Sequence, residues 1–249
     1  MAFPKQLAIQ LSTYLVKNWA QGRKRFPMVL ILEPVERCNL ACAGCGRVRE
    51  YRDCLDKSLS AEECLKAIDE VGAPTVCISG GEPLIYPDIA EITYGSIKRR
   101  KHVHLCTNGL LLEKSLSQFR PGPYMNFVLH IDGLAQTHNR GTGRDGVFET
   151  AISGIKAAKT AGFRVYTNTT IFRSTDFGEI EALFDTLAGI GVDGFMISPA
   201  FDFDIVGSDR IRRAVVRVVF FPAHRVPPGS GHSQPSLRAR SNVSSVANK

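Results

Sequence analysis

Between residues 27 and 199 the chain alternates two hydrophobic rhythms. Short apolar runs predict β-strands at 28–33, 75–79, 102–107, 126–132, 164–171 and 194–198, and between them apolar residues recur at the three- and four-residue spacing of helices. The helices carry start and stop signals. Ser60 with Glu63 reads as a capping box, with Gly72 and Pro74 as the stop. Asp176 with Glu179 opens another helix, whose stripe is Ile180, Leu183, Phe184 and Leu187. Phe148, Ile152, Ile155 and Ala158 line a third ahead of Gly162, and Leu7, Leu11, Leu15 and Trp19 share a stripe near the N-terminus. Six successive strand-helix units predict the α/β class, a parallel sheet curled into a partial (β/α)6 barrel of the TIM type.

Alternation within each strand separates a helix-facing set from a lumen-facing set. On the third strand Val103 and Leu105 oppose His102, His104, Cys106 and Asn108; on the fourth, Phe127, Leu129 and Ile131 oppose Asn126, Val128, His130 and Asp132. Thr75, Cys77 and Ser79 on the second strand, and Met196 and Ser198 on the sixth, join the inward set. A closed eight-stranded barrel fills its lumen with branched apolar side chains. This lumen is polar, which predicts an open barrel that holds a polar cofactor. Polar and turn-forming residues also gather where the strands end: Gly80-Gly81-Glu82-Pro83, Thr107-Asn108-Gly109, Asp132-Gly133, Asn168-Thr169-Thr170 and Ser198-Pro199. Barrel enzymes place their sites at those ends.

Three cysteines, Cys38, Cys42 and Cys45, sit on one loop directly after the first strand. Spaced so closely, they suit an iron-sulfur cluster, and three thiolates on a 4Fe–4S core leave one iron open to a small molecule. Zinc is the alternative, with Cys54 as a fourth ligand, although zinc ligands usually come as two separated pairs.

Charge narrows the partners. The formal net charge is +7, but residues 210–249 hold 8 Lys plus Arg and no acid, leaving 23 basic and 24 acidic residues, a net of −1, in residues 1–209. The basic excess therefore argues for no nucleic-acid surface on the folded part. Three regions are expected: an N-terminal amphipathic helix with a basic linker (1–26), the partial barrel (27–205), and a Pro-, Ser- and Arg-rich tail (206–249) that reads as disordered and resembles a shifted reading frame. Seven cysteines, no signal-peptide layout and no apolar run of about 20 residues predict a cytoplasmic protein. The Leu7 to Trp19 stripe, with Arg23-Lys24-Arg25 beyond it, predicts a helix packed on the barrel and at most transient membrane contact at the inner face of the cytoplasmic membrane.

The motifs Cys38-x3-Cys42-x2-Cys45, Gly-Gly-Glu-Pro at 80–83, Thr-Asn-Gly at 107–109 and Ile-Asp-Gly at 131–133, in that order after strands one to four, resemble the radical S-adenosylmethionine (SAM) superfamily. Within it, Arg23-Lys24-Arg25-Phe26-Pro27, Leu32-Glu33-Pro34, the cysteine loop, Leu105-Cys106-Thr107-Asn108 and the following Leu110-Leu111-Leu112-Glu113-Lys114 resemble the hopanoid-biosynthesis adenosylhopane synthases. Gly44 stands where many members carry an aromatic residue.

The resemblance implies a 4Fe–4S cluster on Cys38, Cys42 and Cys45, SAM against Gly80, Gly81 and Glu82, and ribose or carboxylate contacts from Asn108 and Asp132, with His130, Asn168 and Ser198 as further contacts. It implies reductive cleavage of SAM, addition of the 5'-deoxyadenosyl radical to the hydrophobic substrate diploptene, and a flavodoxin- or ferredoxin-like reductant. Addition leaves a carbon radical that needs a hydrogen atom. Cys106 is the expected donor, Cys77 the second choice and Cys64 a core cysteine. The rivals are a radical SAM peptide maturase and a truncated, inactive cluster- or zinc-binding protein.

Overall fold

A computed structural model describes residues 5–43, 45 and 55–200 of the 249-residue chain. The elements in order are α1 (Lys5–Ala20), β1 (Val29–Leu32), α2 (Ala61–Val71), β2 (Thr75–Ile78), α3 (Ile89–Lys98), β3 (His102–Thr107), α4 (Leu112–Ser115), β4 (Met125–His130), α5 (Ala135–Thr142), α6 (Val147–Thr160), β5 (Arg164–Ile171), α7 (Phe177–Gly189) and β6 (Gly194–Pro199). The six strands form one parallel sheet in sequence order, β1 to β6. Each strand thus lies beside its predecessor, as right-handed strand-helix-strand crossovers require of a curled half-barrel. Residues 201–205 of the expected barrel, the whole expected tail and Cys54 lie outside the described residues.

The helix-facing set predicted by alternation is the core. Val76, Ile78, Val103, Leu105, Phe127, Leu129, Ile131 and Val165 are buried, packed with Cys64 and Ile68 of α2, Ile89 and Ile92 of α3, Ala151 and Ile155 of α6, and Leu183 and Leu187 of α7. Burying one such aliphatic side chain contributes about 1.5–3 kcal/mol, so this set outweighs any surface pairing in holding the sheet curled. On the other face the register sets Cys77 beside His104, and Asn168 between His130 and Met196. The lumen is therefore lined by the polar set.

The helix signals hold with corrections. Ser60 and Glu63 form the expected capping box, and Gly72 ends α2 in a left-handed conformation (φ 67°). On α6 the buried face is Val147, Ala151, Gly154, Ile155 and Ala158, while Phe148 and Ile152 lie at its edge. The larger side chains sit at the rim because the small ones let the helix approach the sheet. On α7 Asp176 caps alone, accepting from the Gly178 N–H at 2.8 Å. Glu179 is spent elsewhere, accepting from the Leu134 N–H at 2.8 Å and the Thr137 hydroxyl at 2.9 Å, which ties α7 to the β4–α5 loop. The N-terminal stripe is also corrected. Asn18 is buried and Leu7, Leu11 and Tyr14 are half-buried, whereas Leu15 and Trp19 are exposed.

Candidate active site

The carboxyl ends of the strands open into a cavity of about 850 Å³, walled on one side by Cys38, Cys42 and Cys45 and on the others by the polar strand ends. Two loops form the cysteine side together. As the chain leaves β1, its carbonyls accept from the turn after β2: the Ser79 N–H bonds Leu32, the Gly81 N–H bonds Val35 at 2.8 Å and the Glu82 N–H bonds Arg37 at 3.0 Å. This contact explains the two glycines. A Cβ on Gly80 would lie 2.4 Å from the Val35 oxygen, and one on Gly81 would lie 1.9 Å from the Arg37 oxygen. Both glycines line the cavity, but the close backbone approach that requires them is to the chain's own lead-in to Cys38.

Glu82 also lines the cavity and has a structural role beside it. It is 1% exposed, and its carboxylate accepts from the Leu84 N–H at 3.0 Å, the Thr107 hydroxyl at 2.7 Å and the Asn108 N–H at 2.8 Å. Burial pushes its pKa up, against the three hydrogen bonds that favour the charged form. Glu82 thus locks the ends of β2 and β3. Asn108 extends the lock, since its amide donates to the Asn39 side chain at 2.7 Å and holds the cysteine loop from the β3 side. From the α5 side the Gly141 carbonyl accepts from the Ala43 N–H at 3.0 Å.

The cysteine loop brings Cys38, Cys42 and Cys45 to the cavity. They share one wall, yet among the described residues no three Cys, His, Asp or Glu side chains are gathered in metal-ligating geometry. Neutral thiols have no mutual attraction that would gather them. Burial raises the pKa of Cys38 and, with the neighbouring Cys38 and Cys45 thiols, raises that of Cys42 to about 11.

The opposite wall is one polar chain. Asp132 accepts from His130 at 2.7 Å and from the Thr170 N–H at 2.7 Å; the Asn168 amide lies 3.5 Å from His130 and accepts from the Ser198 hydroxyl at 3.0 Å. Burial alone would lower the pKa of His130 and raise that of Asp132, but their mutual hydrogen bond and charge outweigh it. The contact therefore favours the charged form of each partner. Asp132, His130 and Asn168 face the cavity, whereas Ser198 reaches it only through Asn168. Sequence reasoning missed His138, whose Nδ1 accepts from the Asp132 N–H at 3.2 Å and shapes that turn. Its signal was a histidine in the polar helix that directly follows Asp132-Gly133.

Between the two walls lies a pair of thiols. Cys106 lines the cavity, and its Sγ is 3.4 Å from that of Cys77. Either thiol can donate to the other; the contact pushes the Cys77 pKa down, and together with burial it pushes that of Cys106 well up.

A family model of the radical SAM superfamily matches residues 32–187, the span that carries both walls. The chain belongs to the radical SAM superfamily. Among curated relatives it is 31% identical over 176 residues to an AdoMet-dependent heme synthase of Methanosarcina barkeri, covering 69% of this chain and 50% of that protein. It is 29% identical over 167 residues to GTP 3',8-cyclase 1 of Mycobacterium tuberculosis, covering 63% and 46%. The chain spans about half the length of the curated relatives it matches. Streptococcus suis SuiB bound to S-adenosylmethionine shares the fold, with a TM-score of 0.64 at 21% identity over 77% of this chain and 45% of that one.

Radical SAM enzymes use a 4Fe–4S cluster and SAM, and the residues present fit both. Cys38, Cys42 and Cys45 line the cavity together, and a set of three thiolates suits iron-sulfur ligation. The opposite wall supplies polar groups of both charges for a zwitterionic ligand. The hopanoid branch suggested by sequence finds no support in these relatives, a heme synthase and a GTP cyclase.

Proposed function

We propose that this chain is the radical SAM core of an enzyme that adds the 5'-deoxyadenosyl group to an apolar alkene, with diploptene as the substrate and adenosylhopane as the product. The observation that carries this reading is the Cys106 thiol on the cavity wall, 3.4 Å from Cys77. Addition to an alkene leaves a carbon radical that needs a hydrogen atom, and a thiol on the cavity wall can give one. An apolar substrate also suits the open side of the half-barrel, where Val29 and Ile31 of the edge strand β1 are exposed.

When bound, a reduced 4Fe–4S cluster and SAM supply the 5'-deoxyadenosyl radical. Cys38, Cys42 and Cys45 would hold the cluster, with Asn108, through Asn39, fixing the loop that carries them. Asp132 and His130 would bind the amino, carboxylate or ribose groups of SAM, and Asn168 and Ser198 orient that pair. Gly80, Gly81 and Glu82 keep the floor in place. Cys106 gives its hydrogen atom to the substrate radical, so an S–H bond breaks and a C–H bond forms, and the thiyl radical left on Cys106 returns to the thiol by taking one electron from the protein reductant and one proton from solvent. A flavodoxin- or ferredoxin-like protein fits as the electron donor, in the cytoplasm.

Anaerobic incubation of the reconstituted protein with SAM, reductant and diploptene tests the reading. A product heavier than diploptene by adenosyl plus hydrogen supports it. Release of 5'-deoxyadenosine with diploptene unchanged contradicts it, and favours the second reading, chemistry on a tetrapyrrole or peptide, which the heme-synthase relatives and the SuiB fold support. Stoichiometric zinc, or iron without SAM cleavage, would make the chain an inactive metal-binding protein.

A further inference from the structure

Residues 1–32 contain five lysines and arginines and no acid, although residues 1–209 as a whole have a net charge of −1. Charge is thus segregated to the segment that carries α1. This helix is fastened to the barrel at two points: the Gln10 amide donates to the Arg100 carbonyl, and the Tyr14 hydroxyl donates to the Pro27 carbonyl at 2.7 Å. Pro27 precedes β1 and Arg100 precedes β3. Helix α1 therefore lies at the amino ends of the strands, away from the cavity.

Its outward face carries three exposed hydrophobics beside the small polar Ser12 and Thr13. Ile9 and Val16, seven residues apart and so on one line of the helix, are 66% and 63% exposed, and Trp19 is 81% exposed. Lys17, Lys24 and Arg25 are exposed nearby, as are Lys98 and Arg100 on the turn that Gln10 grips. Isolated exposed hydrophobics need no explanation, but three of them on one helix beside Lys17, Lys24 and Arg25, in a segment without an acid, have the composition of an interfacial helix.

We propose that this face docks the protein on an anionic lipid bilayer, with Ile9, Val16 and Trp19 entering the acyl boundary and Lys17, Lys24 and Arg25 meeting lipid phosphates. Charge selects this occupant. A symmetric pairing of two copies through the face would bring two acid-free surfaces together, and residues 210–249 of the same chain are also basic without an acid. The proposal does not depend on which substrate the cavity takes. It does mean that the cavity mouth points away from the membrane, and that an apolar substrate would enter along the open β1 edge.

Trp19 is the one tryptophan of the chain, so its fluorescence reports on this face alone. The full-length protein is titrated with vesicles of phosphatidylcholine and of phosphatidylcholine with phosphatidylglycerol, and followed by emission and by flotation. The expected result is a blue shift and co-flotation with the anionic vesicles only, reversed by high salt. Val16→Asp and the pair Lys24→Glu with Arg25→Glu should each weaken partitioning about tenfold or more, with unchanged circular dichroism. Phe177→Asp, at an exposed apolar position on α7, should leave it unchanged. An unshifted emission without flotation overturns the proposal, as does equal binding to neutral vesicles. Blue-shifted emission that depends on protein concentration without lipid also overturns it, in favour of a second copy as the occupant.

Discussion

Cys106 and Gly81 show how a residue legible in sequence can have a partner that only the fold reveals. Alternation along β3 placed Cys106 toward the lumen, but only the neighbouring strand reveals that its partner is Cys77. Cys106→Ala is expected to leave SAM cleavage in place and to abolish saturated adduct, whereas Cys77→Ala should lower the yield without abolishing it; product mass after deuterium exchange of the thiols distinguishes the two. If Cys106→Ala gives a normal yield of saturated product, Cys106 is not the donor. Gly81 lines the cavity and is also packed so closely on the Arg37 carbonyl that a Cβ would lie 1.9 Å from it. Gly81→Ala should therefore destabilise the fold by about 2–3 kcal/mol, the cost of overpacking against atoms that cannot move, as measured by urea unfolding. A stable Gly81→Ala protein defective only in SAM binding would show that the ligand-facing role outweighs the packing.

At the scale of elements, strand existence and order were readable because a lumen-facing polar set and a helix-facing apolar set alternate with period two on successive strands. The same pattern could not tell which polar side chains bind a ligand and which bind the protein. Glu82, Asn108 and Glu179 are chemically apt ligands that the fold spends on its own loops. Helix α7 offers a clean comparison. Asp176→Ala removes one cap and should cost about 1 kcal/mol. Glu179→Ala strips partners from both the Leu134 N–H and the Thr137 hydroxyl, so its cost should be larger and hydrogen exchange over residues 133–137 should speed up. Equal costs and unchanged exchange would mean that the tie between α7 and the β4–α5 loop is slack. The α1 stripe was misread for a related reason. Helix period alone gives an apolar face, and contact with Pro27 and Arg100 decides which face turns inward.

For the molecule as a whole, buried histidines set the pH range. Burial pushes His102, His104 and His138 down to about 4 from an ordinary value of 6.5. In that window the unfolded chain binds more protons than the folded one, so stability is full above 6.5 and falls as pH drops toward 4. His130 has the opposite sign. Its pKa is raised by Asp132, so its contribution is present below 6.5 and is lost as pH rises through the raised value. Thermal midpoints across pH should therefore fall on the acid side, and His130→Gln should remove part of the fall on the alkaline side. A flat profile between pH 4 and 6.5 would contradict the burial of these rings.

The central claim is a three-cysteine cluster site facing a SAM-binding wall, and electron paramagnetic resonance tests it most directly. Protein reconstituted without oxygen should hold about four iron and four sulfide per chain. Its reduced signal should change on adding SAM, an effect lost in Asp132→Ala while the iron content stays the same. A reduced cluster whose spectrum is indifferent to SAM, or a chain that takes up zinc in place of iron, would contradict the account.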